Sequence, residues 1–275
     1  MIIVIQCTDQ VGLIAFITAV LAKEQLNIVS MREHVDEANG RFFMRLEITY
    51  GGDGEKIKAK LLKVLPADTE IQINPLPDKR VIVMVTKEYH CLADILIRNY
   101  YKTLGATVLA VIGNHTVLQD ICRRFDMPFF AVSHQDITKE KFEREIAAII
   151  DEYQPDYIVL AKFMRILSPA LVDKFPMRII NIHHSFLPAF IGANPYKQAY
   201  ERGVKLIGAT AHFVSNELDE GPIIAQQIIP VNHSYQPTDM VKAGKEIETS
   251  VLATALKLVF EDRVFVYKNK TVVFD

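Results

Sequence analysis

Residues 74–78, Asn-Pro-Leu-Pro-Asp, separate two stretches whose hydrophobic rhythms demand different folds. Two prolines in five residues withhold backbone donors and push their predecessors toward extended conformations, so this segment reads as a connector. Ahead of it, apolar spacing predicts a strand over residues 2–6, a helix over 12–25 and a strand over 27–33. An alternating strand over 41–50, a Gly-rich break at 51–54, a helix over 55–65 and a strand over 70–73 follow. The order βαββαβ predicts a ferredoxin-like α+β layer pair. Beyond the prolines, strands over 80–86, 107–111, 129–132, 157–160 and 178–182 alternate with helices over 92–101, 116–124 and 139–153 and a short helix opened by Ser168-Pro169. Strands over 207–214 and 223–231, a long helix over 238–260 and a hairpin over 263–274 complete the chain. Such alternation predicts a Rossmann-like, mostly parallel α/β sheet with functional groups at the C-terminal ends of its strands. The expected division is a domain over 1–76, a linker over 77–82 and a second domain over 83–275.

Bulk properties narrow the function. With 50% hydrophobic and 23% charged residues, the chain can bury a core and is neither disordered nor collagen-like. A formal net charge of -2 supplies no broad basic field, which argues against nucleic acid as a partner and for a small ligand. Cys7, Cys91 and Cys122 are far apart and unpaired in spacing, as expected of buried thiols in a reducing compartment. The apolar N-terminus is too short for a leader and reads as a strand. No apolar run reaches the roughly 18 residues that span a bilayer, so a soluble, cytoplasmic protein is expected.

The chemistry concentrates after the strand at 178–182. Period-two alternation puts Asn181 and His183 on one side of a strand end. The stretch from Phe186 to Pro195 mixes prolines, a glycine and apolar side chains, suiting a wall beside a flat ligand. A strand with His212 and a loop carrying Asp219 then supply another imidazole and a carboxylate. Taken alone, an Asp ahead of Glu-Gly-Pro serves equally as a turn former, and a strand-end His as a structural one. His212 is open between the site and the core, with core support favoured.

The ordered pattern Asn181-x-His183-x-Ser185-x-Leu187-Pro188, Gly192, Pro195, Gly208, His212-Phe213-Val214, Asp219-x-Gly221-Pro222-Ile223-Ile224 resembles the folate-dependent formyltransferase superfamily. The resemblance implies catalytic roles for Asn181, His183 and Asp219. An amide and an imidazole suit an oxyanion formed by attack on a formyl amide, and the carboxylate suits orienting the imidazole or steering water. Whether Asp219 or His183 takes the first proton is left open. The resemblance further implies a folate site at Met164, Arg165, Ile166 and Leu167, which composition alone would equally read as the start of an amphipathic helix, with His184 and Gly192 also on the substrate. It implies 10-formyltetrahydrofolate as substrate, with no metal and no cofactor. His115, His134, His183, His184, His212 and His233 show no tight ligand spacing beyond one adjacent pair.

The acceptor is read from outside that pattern. Thr86-Lys87-Glu88-Tyr89-His90-Cys91-Leu92 stands where a nucleotide-accepting transferase would carry a Gly-rich phosphate loop. No basic module for tRNA is expected after Phe274, which leaves water. Cys7-Thr8-Asp9-Gln10-Val11-Gly12-Leu13-Ile14 with Asn27-Ile28 resembles the ligand loop and next strand of an ACT domain, although Asp9 and Gly12 could also merely shape a turn. That resemblance implies an amino-acid effector at Asp9, Gly12 and Asn27 and pairing between copies into a homo-oligomer. An ACT domain fused to this motif is similar to the deformylase branch of the superfamily, implying a hydrolase of one-carbon metabolism that supplies formate for purine synthesis. Formyl transfer to an unidentified amine and a catalytically silent folate-binding sensor are the competing expectations.

Overall fold

The computed structural model describes residues 1–49, 53–74, 78–188 and 195–274. β1 (Ile2–Thr8), α1 (Leu13–Lys23), β2 (Ile28–Asp36), β3 (Arg41–Ile48), α2 (Gly54–Leu62) and β4 (Glu70–Asn74) follow the expected βαββαβ order. The strands form one antiparallel sheet in the order β2-β3-β1-β4. Alternation gives this sheet a helix-covered face: Ile3, Ile5, Cys7, Met44 and Leu46 pack against Leu13, Ile17 and Leu21 of α1 and Ile57 and Leu61 of α2. Each such Ile or Leu, fully buried, contributes about 1.5–3 kcal/mol. Asp53 caps α2 by accepting from the backbone N–H groups of Glu55 and Lys56.

The second unit runs β5 (Lys79–Val85), α3 (His90–Tyr100), β6 (Ala106–Gly113), α4 (Gln119–Arg124), β7 (Phe129–Ala131), α5 (Lys139–Tyr153), β8 (Tyr157–Leu160), α6 (Pro169–Val172) and β9 (Ile179–His183). It continues through α7 (Pro195–Glu201), β10 (Leu206–Phe213), β11 (Ile223–Pro230) and α8 (Pro237–Phe260). The seven strands lie in the order β11-β10-β9-β8-β5-β6-β7. β5 to β9 are parallel, while β10 and β11 run antiparallel to their neighbours. The chain moves outward from β5 to β7 and then returns to β8 on the other side. A crevice therefore opens at the C-terminal ends of β5 and β8, the usual ligand position in such sheets. Thr138 caps α5, which buries Phe142, Ile146 and Ile150 against Ile82, Met84, Ile158 and Leu160.

Two expectations are corrected. Residues 79–82 are not linker, because β5 begins at Lys79 and Val81 and Ile82 are fully buried in the middle of the sheet. The C-terminal stretch does not belong wholly with the second unit either. By packing, Val259–Tyr267 and the residues from Val272 group with the N-terminal unit. There the hairpin of β12 (Val264–Tyr267) and β13 (Lys270–Val273) sends Phe265 and Phe274 onto Phe43, on the sheet face opposite the helices. The rings meet edge-on, with centroids 5.6 Å apart for Phe43–Phe265 and 5.3 Å for Phe265–Phe274. The buried Arg45 donates from Nε to the Glu261 carbonyl at 3.0 Å on that face. All three cysteines are free and buried. Among the described residues no helix is long and apolar enough to cross a membrane.

Candidate functional site

Strand pairing brings the polar residues of two distant segments together. β10 runs antiparallel to β9 with His212 opposite Asn181 and Thr210 opposite His183. The β10–β11 register shifts between Ala211 and His212, an irregularity of the kind that re-aims a side chain at a strand end. The loop after β10 folds tightly back: the Phe213 N–H donates to the Pro222 carbonyl at 2.9 Å. Gly221 permits this approach, since a Cβ there would lie 1.8 Å from the Phe213 carbonyl oxygen. The same loop holds Asp219 at φ 57, a left-handed conformation that Asp tolerates better than most residues.

Asp219 faces two imidazoles. Its Oδ2 lies 3.2 Å from His183 Nδ1, and its Oδ1 lies 3.7 Å from His212 Nε2. Burial pushes the Asp219 carboxyl up, but His183 and then His212, by hydrogen bonding and by charge, together outweigh it. The carboxyl is held well below the usual carboxylate range. An ionised carboxylate only accepts, so His183 Nδ1 carries the proton it shares with Asp219. His183 Nε2 is buried and has no hydrogen-bond partner among the described residues. His212, 2% exposed, sits 2.9 Å by Nδ1 from the Phe213 carbonyl, which again only accepts. Its Nε2 stands between the Asn181 amide nitrogen, 3.2 Å away, and the Asp219 carboxylate, and packs the amide in place. His212 thus belongs both to the core and to the site wall.

A cleft of about 300 Å³ collects these groups. Asn181, His183, His212 and Asp219 line it together with Met164, Arg165, Ile166, Leu167 and His184. The 164–167 segment is irregular rather than helical, pinned by the Met164 N–H donating to Thr86 Oγ1 at 2.9 Å, which leaves Met164 and Ile166 exposed at the rim. The His184 ring stacks on His183 with centroids 5.2 Å apart. Burial first, and then the neighbouring Lys162 ammonium, pull its pKa down to about 4, so it is neutral near pH 7. Gly192 lies outside the described residues.

The N-terminal candidates do not converge on one spot. Asp9 is exposed and its N–H donates to the Gly40 carbonyl at 2.8 Å, while Gly12 caps α1 at φ 93. Asn27 instead exchanges hydrogen bonds with Thr49 at the other end of β3. At strand spacing the eight residues of β3 separate these ends by on the order of 25 Å. A single copy of this unit brings Asp9 and Gly12 together and leaves Asn27 apart.

One cluster escapes sequence reasoning. Glu248 of α8, 1% exposed, accepts from the Tyr196 hydroxyl at 2.8 Å and lies 2.7 Å from His90 Nε2 and 3.2 Å from Lys162 Nζ. Burial pushes its carboxyl up, but these partners win and hold it at about 2. His90, Cys91 and Glu248 have their donor atoms close enough for a metal ion, yet the carboxylate is taken up by a lysine and a tyrosine and burial drives the Cys91 thiol well up. The available signal was Glu248 itself, a carboxylate on the stripe of α8 that otherwise buries Ile247, Val251, Leu252 and Ala255.

Residues 79–256 match the formyl transferase family and residues 1–66 the ACT domain. Fold and site thus define a formyl-transferase-type unit joined to an ACT unit. Over 272 residues the chain is 52% identical to a formyltetrahydrofolate deformylase of Haemophilus influenzae, spanning 99% of this chain and 98% of that protein. It is also 52% identical to one from Escherichia coli (strain K12), spanning 97% and 95%. A crystal structure of a formyltetrahydrofolate deformylase from Pseudomonas syringae pv. tomato superposes with a TM-score of 0.95 at 40% identity, covering 100% of this chain and 94% of that one. The chain belongs to the formyltetrahydrofolate deformylase family.

Proposed function

We propose that the chain hydrolyses 10-formyltetrahydrofolate to tetrahydrofolate and formate through Asn181, His183 and Asp219, without a metal. The observation that carries this reading is the 3.2 Å pair of His183 Nδ1 and Asp219 Oδ2 beside an Asn181 amide locked by His212. A carboxylate held this far down is a weak base by itself, so its part is to keep the proton on His183 Nδ1 and leave the Nε2 lone pair for water. As water attacks the formyl carbon, His183 Nε2 takes its proton and the imidazolium is stabilised by Asp219. The Asn181 amide donates an N–H to the growing oxyanion, worth about 3 to 4 kcal/mol for such a donor. Collapse breaks the bond to the carrier nitrogen, which receives the proton back from His183, and formic acid departs, losing its own proton to solvent as formate.

Met164, Arg165, Ile166, Leu167 and His184 form the folate side of the cleft, where apolar rim residues suit a flat ring. Asp9 and Gly12 of the β1–α1 loop meet the ammonium and carboxylate of an amino-acid effector in this reading. Exposed Val11, Phe16, Val29 and Met31 on the N-terminal unit support pairing between copies, which brings a second copy's Asn27 edge to that site. With three buried free thiols, a reducing cytoplasm is the fitting compartment. Replacing Asp219 with Asn keeps the cleft's shape and removes the charge that holds His183. Formate release should fall at least about 100-fold while folate binding, read by fluorescence titration, changes little. Near wild-type turnover in that variant would remove Asp219 from the chemistry.

A further inference from the structure

Lys162 follows β8 at φ 63, a left-handed backbone conformation that only glycine adopts freely. Its side chain is 8% exposed and lines the cleft with His184, its ammonium turned to Glu248 of α8, whereas Met164, Arg165 and Ile166 also line a second cavity with Lys139, Phe142 and Glu143 of α5. A buried ammonium on a disfavoured backbone persists only where the surroundings hold it. Glu248 holds it, and is itself held by Tyr196 and His90. Tyr196 packs so closely on α8 that a Cβ at Gly244 would stand 2.2 Å from its ring. From Glu248 the row continues to the surface: His90 Nδ1 lies 3.8 Å from Glu88 Oε2, and Glu88 Oε2 lies 2.6 Å from Lys245 Nζ. Lys162, Glu248, His90, Glu88 and Lys245 thus form a line of polar side chains running outward from the cleft, with Glu88 and His90 supplied by the 86–92 segment that stands in place of a phosphate loop.

An amine acceptor needs more room than water, because its substituent must leave the cleft while its nitrogen sits at the formyl carbon. The 164–167 rim is taken by the folate in the hydrolytic reading, on which this inference rests. The side toward α8 is filled by Lys162, held there by Glu248. We propose that Lys162 is a specificity-determining residue that confines the acceptor to water by closing the amine side of the cleft.

The test supplies 10-formyltetrahydrofolate with glycinamide and measures N-formylglycinamide against formate. In formyl transfer the amine nitrogen bonds the formyl carbon, the carrier C–N bond breaks, and the amine's proton ends on the carrier nitrogen. Lys162→Gly suits the backbone and opens the side, so the product ratio should rise at least tenfold over wild type, while Lys162→Arg should leave it unchanged. A ratio within twofold of wild type in a Lys162→Gly protein that still consumes folate overturns the proposal. If that variant does not fold, Glu248→Gln, which releases Lys162 at constant volume, should raise the ratio at least threefold, and no rise there overturns it equally. Wild-type protein that releases no formate would contradict the hydrolytic reading instead.

Discussion

His184 illustrates how a single residue reports its surroundings. Stacked on His183 and buried beside Lys162, it has a folded-state pKa of about 4 against an ordinary value of 6.5. As the pH falls from 7, the unfolded chain takes up this proton first, so His184 lowers stability progressively between about pH 6.5 and pH 4. Glu248 and Asp219, whose pKa values are depressed, lose their contributions only below the ordinary carboxylate values near 4.5 and 3.8. Between pH 7 and 5 the His184 share is about 2 kcal/mol. Urea midpoints for His184→Leu should therefore vary less with pH over this range than wild type, and parallel curves would show that His184 is not held neutral. At this scale the sequence picked out Asn181, His183 and Asp219, which line one cleft, because strand alternation and an ordered pattern surround them. It did not reveal Lys162 with Glu248, because burial of two charges 86 positions apart is set by packing that no local rhythm encodes.

Among the elements, the C-terminal hairpin departs most from its sequence reading. Its strands were legible from turn residues and alternation, but not the surface they cover. Phe43 looked like one alternating position in β3, and only the packing shows that it receives Phe265 and Phe274. Removing the buried Phe265 ring should cost about 3–5 kcal/mol. Denaturant titration of Phe265→Ala checks this, with hydrogen exchange expected to quicken in β1 and β3. A cost below about 1 kcal/mol would mean the hairpin does not seal that sheet face. α7 was likewise missed, since its seven residues are too short to show apolar periodicity and open on a proline that reads equally as loop. By contrast, β5 to β9 were legible throughout because buried parallel strands alternate with amphipathic helices.

For the whole molecule, the central claim is that the formyl group goes to water. In the proposed reading the cleft, the amide beside His212 and the His183–Asp219 pair carry the attack, and Lys162 closes the side an amine would need. The claim is tested most directly by a single turnover of purified protein with 10-formyltetrahydrofolate in ¹⁸O-water, with a strong chelator present and no amine. Formate carrying one ¹⁸O atom, released one-to-one with tetrahydrofolate, is the predicted result. Formate that appears only when an amine is added, or only after the chelator is withdrawn, would contradict the account.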